Sequence, residues 1–472
     1  MKKTKIICSI GPASQNVDIM SEMVKNGMNV ARINFSHGNY NEYNEILEVV
    51  KNTRIKTGDN NIAILYDTKG PDFRCGEIVS EGIDLIPGNV VRIVKENIVG
   101  SNNTFTVNHP EVLDKINIGN EILLEDALMK IVVISKEFDG LTCRVLEGGN
   151  LKSKKGIAVP GVRLDLPFMS EVDKEDIKYA CTHEGDFLAL SFVESRENIL
   201  EAKKILEENG RSDMKIISKV ESKAGVDNLD EIIDESDGIM VARGDLGVEI
   251  PVEYLPVIQK DMIRKCREKE KFVIVATEML ASMYTSPRPT RAEVTDISNA
   301  VFDGADAVML SGESTVGAHP IDAVRYMAKI CEQAEKNSLY CTKFERPRTC
   351  DITEAIAANV LIASKELDIK AIVVPTTGGH SPTVISNLRP TTTILALCPN
   401  EKVARGLSLN YGVYCKVVAS VKEDDMDDAV NSARNEAIKT FNLQEKDVII
   451  ITGGIHFNKS IKQTNFLKIE EI

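Results

Sequence analysis

Short runs of β-branched and aliphatic residues recur along the first 310 residues, and most are followed by a loop and then by a helical pattern. The eight runs are Thr4–Cys8, Met28–Ile33, Ile62–Tyr66, Phe187–Ser191, Lys215–Ser218, Gly238–Val241, Phe272–Ala276 and Asp306–Leu310. Helical patterns cover Glu197–Asn209, which stops at Gly210, and Val252–Lys269, which is entered through Pro251. This alternation of strands and helices predicts parallel βα units.

The interval between the third and fourth predicted strands is too long, by about a domain, for one βα unit of ~30 residues. Residues 71–167 instead show short alternating runs between Gly, Asn and Pro turns, which predict a small all-β domain. These runs are Val90–Val94, Glu121–Leu124, Lys130–Ser135 and Leu141–Leu146. Residues 1–70 and 168–340 together then come close to the ~250 residues of a (β/α)8 TIM barrel. An open doubly wound sheet is the alternative.

A second alternating pattern begins after Arg346 and Pro347 and predicts a separate α/β domain over residues 341–472. Its predicted helices are Thr353–Leu367 and Asp425–Phe441, and its predicted strands are Ala371–Val374, Thr393–Leu397, Val413–Val418 and Asp447–Ile451.

Composition narrows the class of protein. The 472 residues are 43% hydrophobic and 27% charged, within the ordinary range for a globular protein. A net charge of −14 argues against broad binding to nucleic acid or to an anionic membrane, although a local cationic pocket is compatible with it. No apolar run approaches the ~18 residues of a membrane helix. The ten cysteines are scattered without a CxxC pair, so we expect a reduced, cytoplasmic protein.

Polar residues follow six of the eight predicted strands, at the end of a (β/α)8 barrel where active sites lie. They are the cations Arg32, Lys219 and Arg243, the carboxylates Asp67, Glu221, Asp245 and Glu313, and the hydroxyls Ser36, Thr68, Thr277 and Ser311. Carboxylates without histidines suit a hard cation such as Mg2+, and cations beside them suit a phosphate or carboxylate substrate. The set indicates metal-assisted phosphoryl or enolate chemistry.

Each motif alone also has an ordinary structural interpretation. Lys219 and Glu221 could form an exposed ion pair, and Arg243-Gly244-Asp245 could be a turn that caps the next helix. There is no GxxxxGK[ST] phosphate loop. It is the coincidence at six strand ends that favours a functional site.

The sequence resembles the pyruvate kinase family over essentially its whole length. The segments that carry the resemblance are KTKIICSIGPAS, NVARINFSHG, DTKGPDFR, ISKVES, GIMVARGDLGVEIP, SPRPTRAEV and NAVFDGADAVMLSGES. The resemblance implies a TIM barrel with an inserted small β-barrel lid and a regulatory C-terminal α/β domain. It also implies a glycolytic phosphotransferase that converts phosphoenolpyruvate and ADP into pyruvate and ATP, and a homotetramer.

The resemblance also implies roles for residues at the strand ends. Glu221 and Asp245 would hold Mg2+ (or Mn2+), Lys219 would neutralise charge on the departing enol oxygen, and Arg32 would clamp the phosphoryl group. The N–H groups of Gly244 and Asp245, with Thr277, would receive the substrate carboxylate. Ser311 would join the water chain that protonates the enolate. A potassium site is implied at Asn34, Ser36, Asp67 and Thr68, and nucleotide contacts are implied at Asn34, His37, Arg74 and Lys155.

Several positions depart from the family pattern. The usual Glu of GPEIR is Asp72, the usual Gln after Thr277 is Glu278, and KIEN ends in Ser222. Gly378 replaces the first serine of the C-terminal phosphate-binding loop, and the later loop over 452–459 lacks the family's Pro/Gly/Ser-rich run. The effector, whether a sugar phosphate or a nucleotide, is therefore open.

Two other functions compete with this interpretation. One is a Mg2+-dependent enolate lyase on the same barrel, which would have no use for a lid bearing Arg74 and Lys155. The other is a catalytically weak paralogue that senses a metabolite through the C-terminal domain.

Overall fold

Residues 1–337, apart from an insertion after the third strand, build a closed barrel of eight parallel strands that follow one another in chain order around the ring. The computed structural model describes residues 1–337, 351–418, 426–454 and 463–472. The barrel strands are Lys5–Ser9, Val30–Asn34, Ala63–Asp67, Phe187–Leu190, Lys215–Val220, Gly238–Ala242, Phe272–Ala276 and Ala307–Leu310. All eight predicted strands are confirmed, with shifts only at their ends. The closed barrel excludes the alternative fold, an open doubly wound sheet.

Helices surround the barrel and cover its outer face. The α-helices are Val17–Lys25, Tyr40–Thr57, Glu171–Thr182, Arg196–Glu208, Lys223–Asp227, Leu229–Glu235, Arg243–Glu249, Leu255–Glu268, Arg291–Asp303, Gly312–Thr315 and Pro320–Glu335, and 3-10 turns are Val252–Tyr254 and Ala281–Tyr284. The predicted helix over 252–269 is thus divided. A 3-10 turn follows Pro251, and the α-helix then starts with Pro256 in its first turn, where no backbone N–H is needed.

The insertion after the third barrel strand is all β apart from one 3-10 turn, Pro110–Asp114. Its strands are Ile83–Leu85, Val90–Val94, Thr104–Thr106, Glu121–Leu124, Met129–Glu137, Gly140–Glu147, Gly149–Leu151 and Ile157–Ala158. Six of them form one sheet, and single bridges from Arg74 to Gly156 and from Cys75 to Val107 join its two edges into a small barrel. Its apolar core is a cluster of its own. The four runs in the sequence are confirmed, whereas the four shorter strands were not predicted.

The C-terminal region is a five-stranded sheet with helices on it. The strands are Ile369–Pro375, Ile394–Cys398, Val413–Val417, Val448–Gly453 and Phe466–Glu471, and the helices are Ile352–Glu366, His380–Asn387, Glu401–Arg405 and Met426–Phe441. The last strand is antiparallel to its neighbour and was not predicted. The expected start of this domain at residue 341 and the loop residues 455–459 lie outside the described residues.

The two added regions lie at opposite ends of the barrel, because Arg405 of the C-terminal region donates to Asp186, which directly precedes the fourth strand. The insertion leaves at the carboxyl end of the third strand, and the N–H of Gly70 donates to Asp173 Oδ1 at 2.9 Å where the chain returns. Gly70 has a φ of 74°, and an added Cβ would lie 2.8 Å from the Cβ of Ser191, so glycine is required at this junction.

In the described residues, no helix is both long and apolar enough to cross a membrane.

Candidate active site

A buried set of charges lies at the carboxyl end of the barrel. Asp67, the last residue of the third strand, is fully buried. Arg32 Nε donates to its Oδ2 at 2.7 Å, and Lys219 Nζ donates to its Oδ1 at 3.1 Å. Burial raises the pKa of Asp67, but the two cations more than offset that effect and hold the pKa below its usual value. Asp67 is therefore an anchor that fixes both cations.

Lys219 lies where three oxygen-bearing side chains meet. Its Nζ is 3.1 Å from Glu221 Oε1 and donates to Ser191 Oγ at 2.7 Å, besides its contact with Asp67. Burial lowers the pKa of Lys219, but the carboxylates of Asp67 and Glu221 outweigh burial and raise the pKa above its ordinary value. The structure thus holds a permanently charged ammonium at the mouth of the barrel.

Glu221 and Asp245 form an unequal pair of carboxylates beside this ammonium. Glu221 is 1% exposed, and its Oε2 accepts a hydrogen bond from Phe192 N at 2.7 Å. Burial raises the pKa of Glu221 to about 7, Lys219 opposes the rise, and the charge of Asp245 adds to it. Asp245 is exposed in the first turn of helix Arg243–Glu249. A carboxylate whose charged form is disfavoured by burial and by a second carboxylate fits a hard divalent cation.

The described residues contain no cluster of three or more His, Cys, Asp or Glu side chains suited to a metal ion. A cation held by Glu221 and Asp245 would therefore take its other ligands from substrate and water. Mg2+ commonly binds proteins in this way, through one or two carboxylates.

Thr277 follows the seventh strand with a φ of 67°, in the left-handed region that is unusual for a β-branched residue. Its Oγ1 donates to Ala276 O at 2.6 Å and accepts from Gly244 N at 2.8 Å. The N–H of Gly244, which was expected to receive the substrate carboxylate, is therefore already bonded to Thr277. Thr277 and the first turn of helix Arg243–Glu249 form one connected unit.

Two charged residues that follow barrel strands, Arg243 and Glu313, make structural contacts and do not face the site. Arg243 NH1 donates to both carboxylate oxygens of Asp296, at 2.8 and 2.7 Å, and its NH2 donates to Thr277 O at 2.5 Å. Glu313 is buried and accepts from Leu280 N at 3.0 Å and from Ser311 N at 2.9 Å. Arg243 is thus not a free cation for a substrate, which corrects its place in the sequence-derived set.

Replacing Arg243 with Met should lower kcat by about tenfold or more, because the left-handed backbone at Thr277 loses the donor that fixes its carbonyl. Binding of Mn2+ to the Glu221 and Asp245 carboxylates should change little. Steady-state kinetics with a Mn2+ titration checks this. A tenfold loss of Mn2+ affinity at unchanged kcat would contradict the positioning role.

The four residues expected to bind potassium lie at two adjacent strand ends. Asn34 pairs with Asp67 in the parallel ladder, so these side chains are neighbours. Asn34 Oδ1 accepts from Ser36 N at 3.1 Å, and Thr68 Oγ1 accepts from Ser191 N at 3.1 Å. The set supplies oxygen donors only, although the cations Arg32 and Lys219 already contact the Asp67 carboxylate.

The expected nucleotide contacts come from both domains. Arg74 Nε pairs with Asp72, and its NH1 donates to Lys154 O at 2.9 Å, while Lys155 Nζ lies 2.5 Å from Glu125 Oε1. His37 is exposed beside the barrel mouth. Its pKa is lowered by partial burial and then by the charges of Arg74 and Arg32, so the structure brings these residues near one another.

Sequence reasoning missed two residues at the site. Ser191 accepts from Lys219 and donates to Thr68 O at 2.6 Å, although the sequence analysis placed it inside a strand. Asp126, at a turn of the insertion, has its pKa raised by burial and then by the charge of Asp245. The tip of the insertion therefore lies close to the carboxylate pair.

Comparisons with known proteins agree across the chain. Residues 1–324 match the family model "Pyruvate kinase, barrel domain", and residues 354–470 match "Pyruvate kinase, alpha/beta domain". The chain is 40% identical over 480 residues to a pyruvate kinase of Clostridium acetobutylicum, with both chains covered completely. It is 40% identical over 476 residues to that of Geobacillus stearothermophilus, covering 100% of this chain and 80% of the relative. A crystal structure of a pyruvate kinase from Cryptosporidium parvum superposes with a TM-score of 0.91 at 35% identity, covering 100% of this chain and 96% of the other.

Proposed function

The chain belongs to the pyruvate kinase family and is a phosphotransferase acting on phosphoenolpyruvate and ADP, and we propose that the carboxyl end of its barrel carries out the transfer. The observation that carries the assignment is the buried, charged Lys219 with its Nζ 3.1 Å from Glu221, beside the exposed Asp245. These groups suit a substrate that combines a carboxylate with a phosphoryl group. The test is formation of ATP from phosphoenolpyruvate and ADP.

Lys219 and Arg32 act on the phosphoryl group. Because both are held by Asp67, they face the substrate without needing to reorganise when charge moves to the enol oxygen. Lys219 neutralises the charge that develops there, and Arg32 holds the phosphoryl oxygens. Positioned charge of this kind provides most of the catalysis in phosphoryl transfer.

Glu221 and Asp245 would hold Mg2+ or Mn2+, which supplies neutralising charge to the substrate's carboxylate and phosphoryl oxygens when bound. The acidic pair fits that ion, because a bound cation would stabilise the charged form of Glu221, whose pKa is raised by burial and by Asp245. Thr277 and the amides of Gly244 and Asp245 receive the substrate carboxylate. For this, the N–H of Gly244 exchanges its present partner, the Thr277 hydroxyl, for the substrate.

Protonation of the enolate needs a proton donor on the opposite side of the substrate from Lys219. Ser311 directly follows the eighth strand, and its N–H is fixed by Glu313 at 2.9 Å. Its hydroxyl passes a proton to the enolate carbon through water, which completes the conversion to pyruvate.

The insertion, residues 71–167, acts as a lid on the barrel, residues 1–70 and 168–340. Arg74 and Lys155 bring cationic side chains to the nucleotide from the insertion, and His37 and Asn34 contact it from the barrel. Each of the two cations has an acidic partner, Asp72 or Glu125, that it exchanges for phosphate oxygens. Closure excludes water while the phosphoryl group is transferable.

Activity should depend on K+, because Asn34, Ser36, Asp67 and Thr68 supply the oxygen ligands of a monovalent cation that offsets charge near ADP. Affinity for K+ should be weak, since Asp72 is one methylene shorter than the family's glutamate. Rates in a tetramethylammonium buffer, with and without K+ at fixed ionic strength, check this.

Asp72→Lys is the informative variant, since its ammonium would stand in for the ion and raise the rate without K+. Asp72→Asn is its control, because it also breaks the ion pair with Arg74 but adds no cation. Equal wild-type rates in the two buffers would eliminate the potassium site.

The remaining assignments concern the whole enzyme. The family resemblance supports a homotetramer, and Val252, Tyr254 and Val257 leave exposed apolar surface that an interface could cover. The C-terminal domain, residues 341–472, takes a regulatory role through a sugar-phosphate or nucleotide effector. A cytoplasmic location is consistent with the free thiols of the described cysteines.

A further inference from the structure

Two connections join the insertion to the barrel, and one buried aspartate contacts both of them. Asp173 lies in the first turn of helix Glu171–Thr182, just after the chain returns from the insertion, and it is 1% exposed. Its Oδ1 accepts a hydrogen bond from Gly70 N at 2.9 Å, on the connection that leaves the barrel. Its Oδ2 accepts from Ser170 N at 2.9 Å and from Ser170 Oγ at 2.6 Å, on the connection that returns. One carboxylate therefore ties together the start and the end of the insertion.

Helix capping accounts for only one side of this carboxylate. Ser170 and Asp173 form the capping box of helix Glu171–Thr182, in which Asp173 N donates to Ser170 Oγ at 3.1 Å and Ser170 N donates to Asp173 Oδ2. That box is complete without Gly70. The contact between Gly70 N and Oδ1 is an addition to it, made to a residue outside the helix.

The Gly70 end of the link packs against residues that contact Lys219. A Cβ added to Gly70 would lie 2.8 Å from the Cβ of Ser191, so the backbone of Gly70 passes directly beside Ser191. Ser191 Oγ accepts from Lys219 Nζ at 2.7 Å and donates to Thr68 O at 2.6 Å. The point at which Asp173 holds the insertion is therefore fixed relative to the Lys219 ammonium.

The groups around Asp173 call for a carboxylate at this position. The backbone N–H groups of Gly70 and Ser170 can only donate, and the Ser170 hydroxyl also donates to Asp173. The first turn of a helix further favours negative charge. An asparagine has nearly the same shape, but it would turn its amide nitrogen toward one of these donors. One of the two connections would then lose its hydrogen bond.

We propose that Asp173 is a positioning residue for phosphoryl transfer, which sets how the insertion meets the barrel by holding both of its connections at one point. The inference rests on the proposed function, in which the insertion brings Arg74 and Lys155 to the nucleotide. With both connections held, the insertion moves as one body about Asp173, and its two cations return to the same place at each closure. With one connection released, the cations spread over a wider range of positions, whereas the groups on the barrel stay in place.

Asp173→Asn in the full chain tests this role by its effect on the two substrates. We expect the KM for ADP to rise by about tenfold, the size of one charge-assisted hydrogen bond. Affinity for Mn2+ and for phosphoenolpyruvate should be unchanged, because the groups that bind them lie on the barrel. Glu171→Gln is the matched control, since Glu171 lies in the same helical turn but is exposed and pairs with Lys174. Its KM for ADP should equal that of the wild type.

Ser170→Ala is a second and milder variant, because it removes only the hydroxyl that donates to Asp173 Oδ2. Its KM for ADP should rise by a smaller factor than that of Asp173→Asn. Thermal unfolding reports whether each variant folds, and Ser170→Ala decides the question if Asp173→Asn does not. Amide hydrogen exchange over residues 66–72 and 168–172 should be faster in Asp173→Asn than in the wild type, with the barrel strands unaffected.

A wild-type KM for ADP in both Asp173→Asn and Ser170→Ala would overturn the proposal. Equal losses of affinity for ADP and phosphoenolpyruvate would overturn it as well, because they would show a general structural role. Failure of the wild-type chain to form ATP would instead count against the proposed function. In that case, ADP affinities measured by titration calorimetry replace the KM values and decide the role of Asp173 by the same comparison.

Discussion

Lys219→Met should reduce kcat by ~10^3-fold or more, because the lost ammonium acts on charge that appears only as the phosphoryl group leaves the enol oxygen. Binding of Mn2+ and phosphoenolpyruvate should be largely retained, since Glu221 and Asp245 remain in place. Among the residues that the structure describes, the substitution also leaves Asp67 with Arg32 as its one close cation, so the free energy of unfolding should fall. Kinetics, Mn2+ titration and thermal unfolding together measure these effects.

Lys223→Met is a matched control, because this neighbouring lysine is exposed and pairs only with Asp227 in the described structure. Its kcat should equal that of the wild type. If Lys219→Met kept kcat within tenfold while KM rose, Lys219 would be a binding residue and its role in the transition state would be wrong.

Deleting the insertion by joining Gly70 to Phe168 should abolish formation of ATP while leaving a folded barrel. The insertion has its own apolar core, and the chain enters and leaves it where Gly70 N lies 2.9 Å from Asp173 Oδ1. The carboxylates of Glu221 and Asp245 stay on the barrel, whereas Arg74 and Lys155 are removed. Circular dichroism and Mn2+ binding report the barrel, and a coupled assay reports turnover.

The double variant Arg74→Met, Lys155→Met provides the second arm, because it removes the same two cations from an intact lid. We expect its KM for ADP to rise by about tenfold or more, in line with two lost charge-assisted contacts. ATP production by the truncated protein at the wild-type rate would refute the lid assignment.

The barrel could be predicted because its strands are buried on both faces and therefore appear as short, mainly apolar runs. The strands Ile83–Leu85, Thr104–Thr106, Gly149–Leu151 and Ile157–Ala158 of the insertion were missed. Strands this short contain too few positions to display alternation. The final strand, Phe466–Glu471, was missed for a different reason. Charged residues interrupt its apolar positions, so its local sequence does not indicate a strand. It is the pairing with Val448–Gly453 that stabilises this strand.

The sequence predicted which residue types lie at the strand ends of the candidate site. It did not predict the hydrogen-bond and ion-pair partners of each residue. Arg243 and Glu313 have the same chemistry as Arg32 and Glu221, yet they bind backbone and Asp296. Apart from Ser311 beside Glu313, these partners lie more than thirty positions away, and no local pattern encodes them. Ser191 could have been identified as a site residue from the sequence. The fourth strand ends at Leu190, so Ser191 is the first residue after that strand.

The most direct test of phosphoryl transfer at this site is phosphorus NMR of the purified full chain with phosphoenolpyruvate, Mg2+ and K+, with and without ADP. The account predicts that the phosphoenolpyruvate signal disappears only when ADP is present, with one ATP formed for each phosphoenolpyruvate consumed. It also predicts that Lys219→Met shows neither change on the same timescale. Loss of phosphoenolpyruvate without ADP would indicate a lyase, and no turnover under any condition would indicate a sensor. Either result would contradict the account.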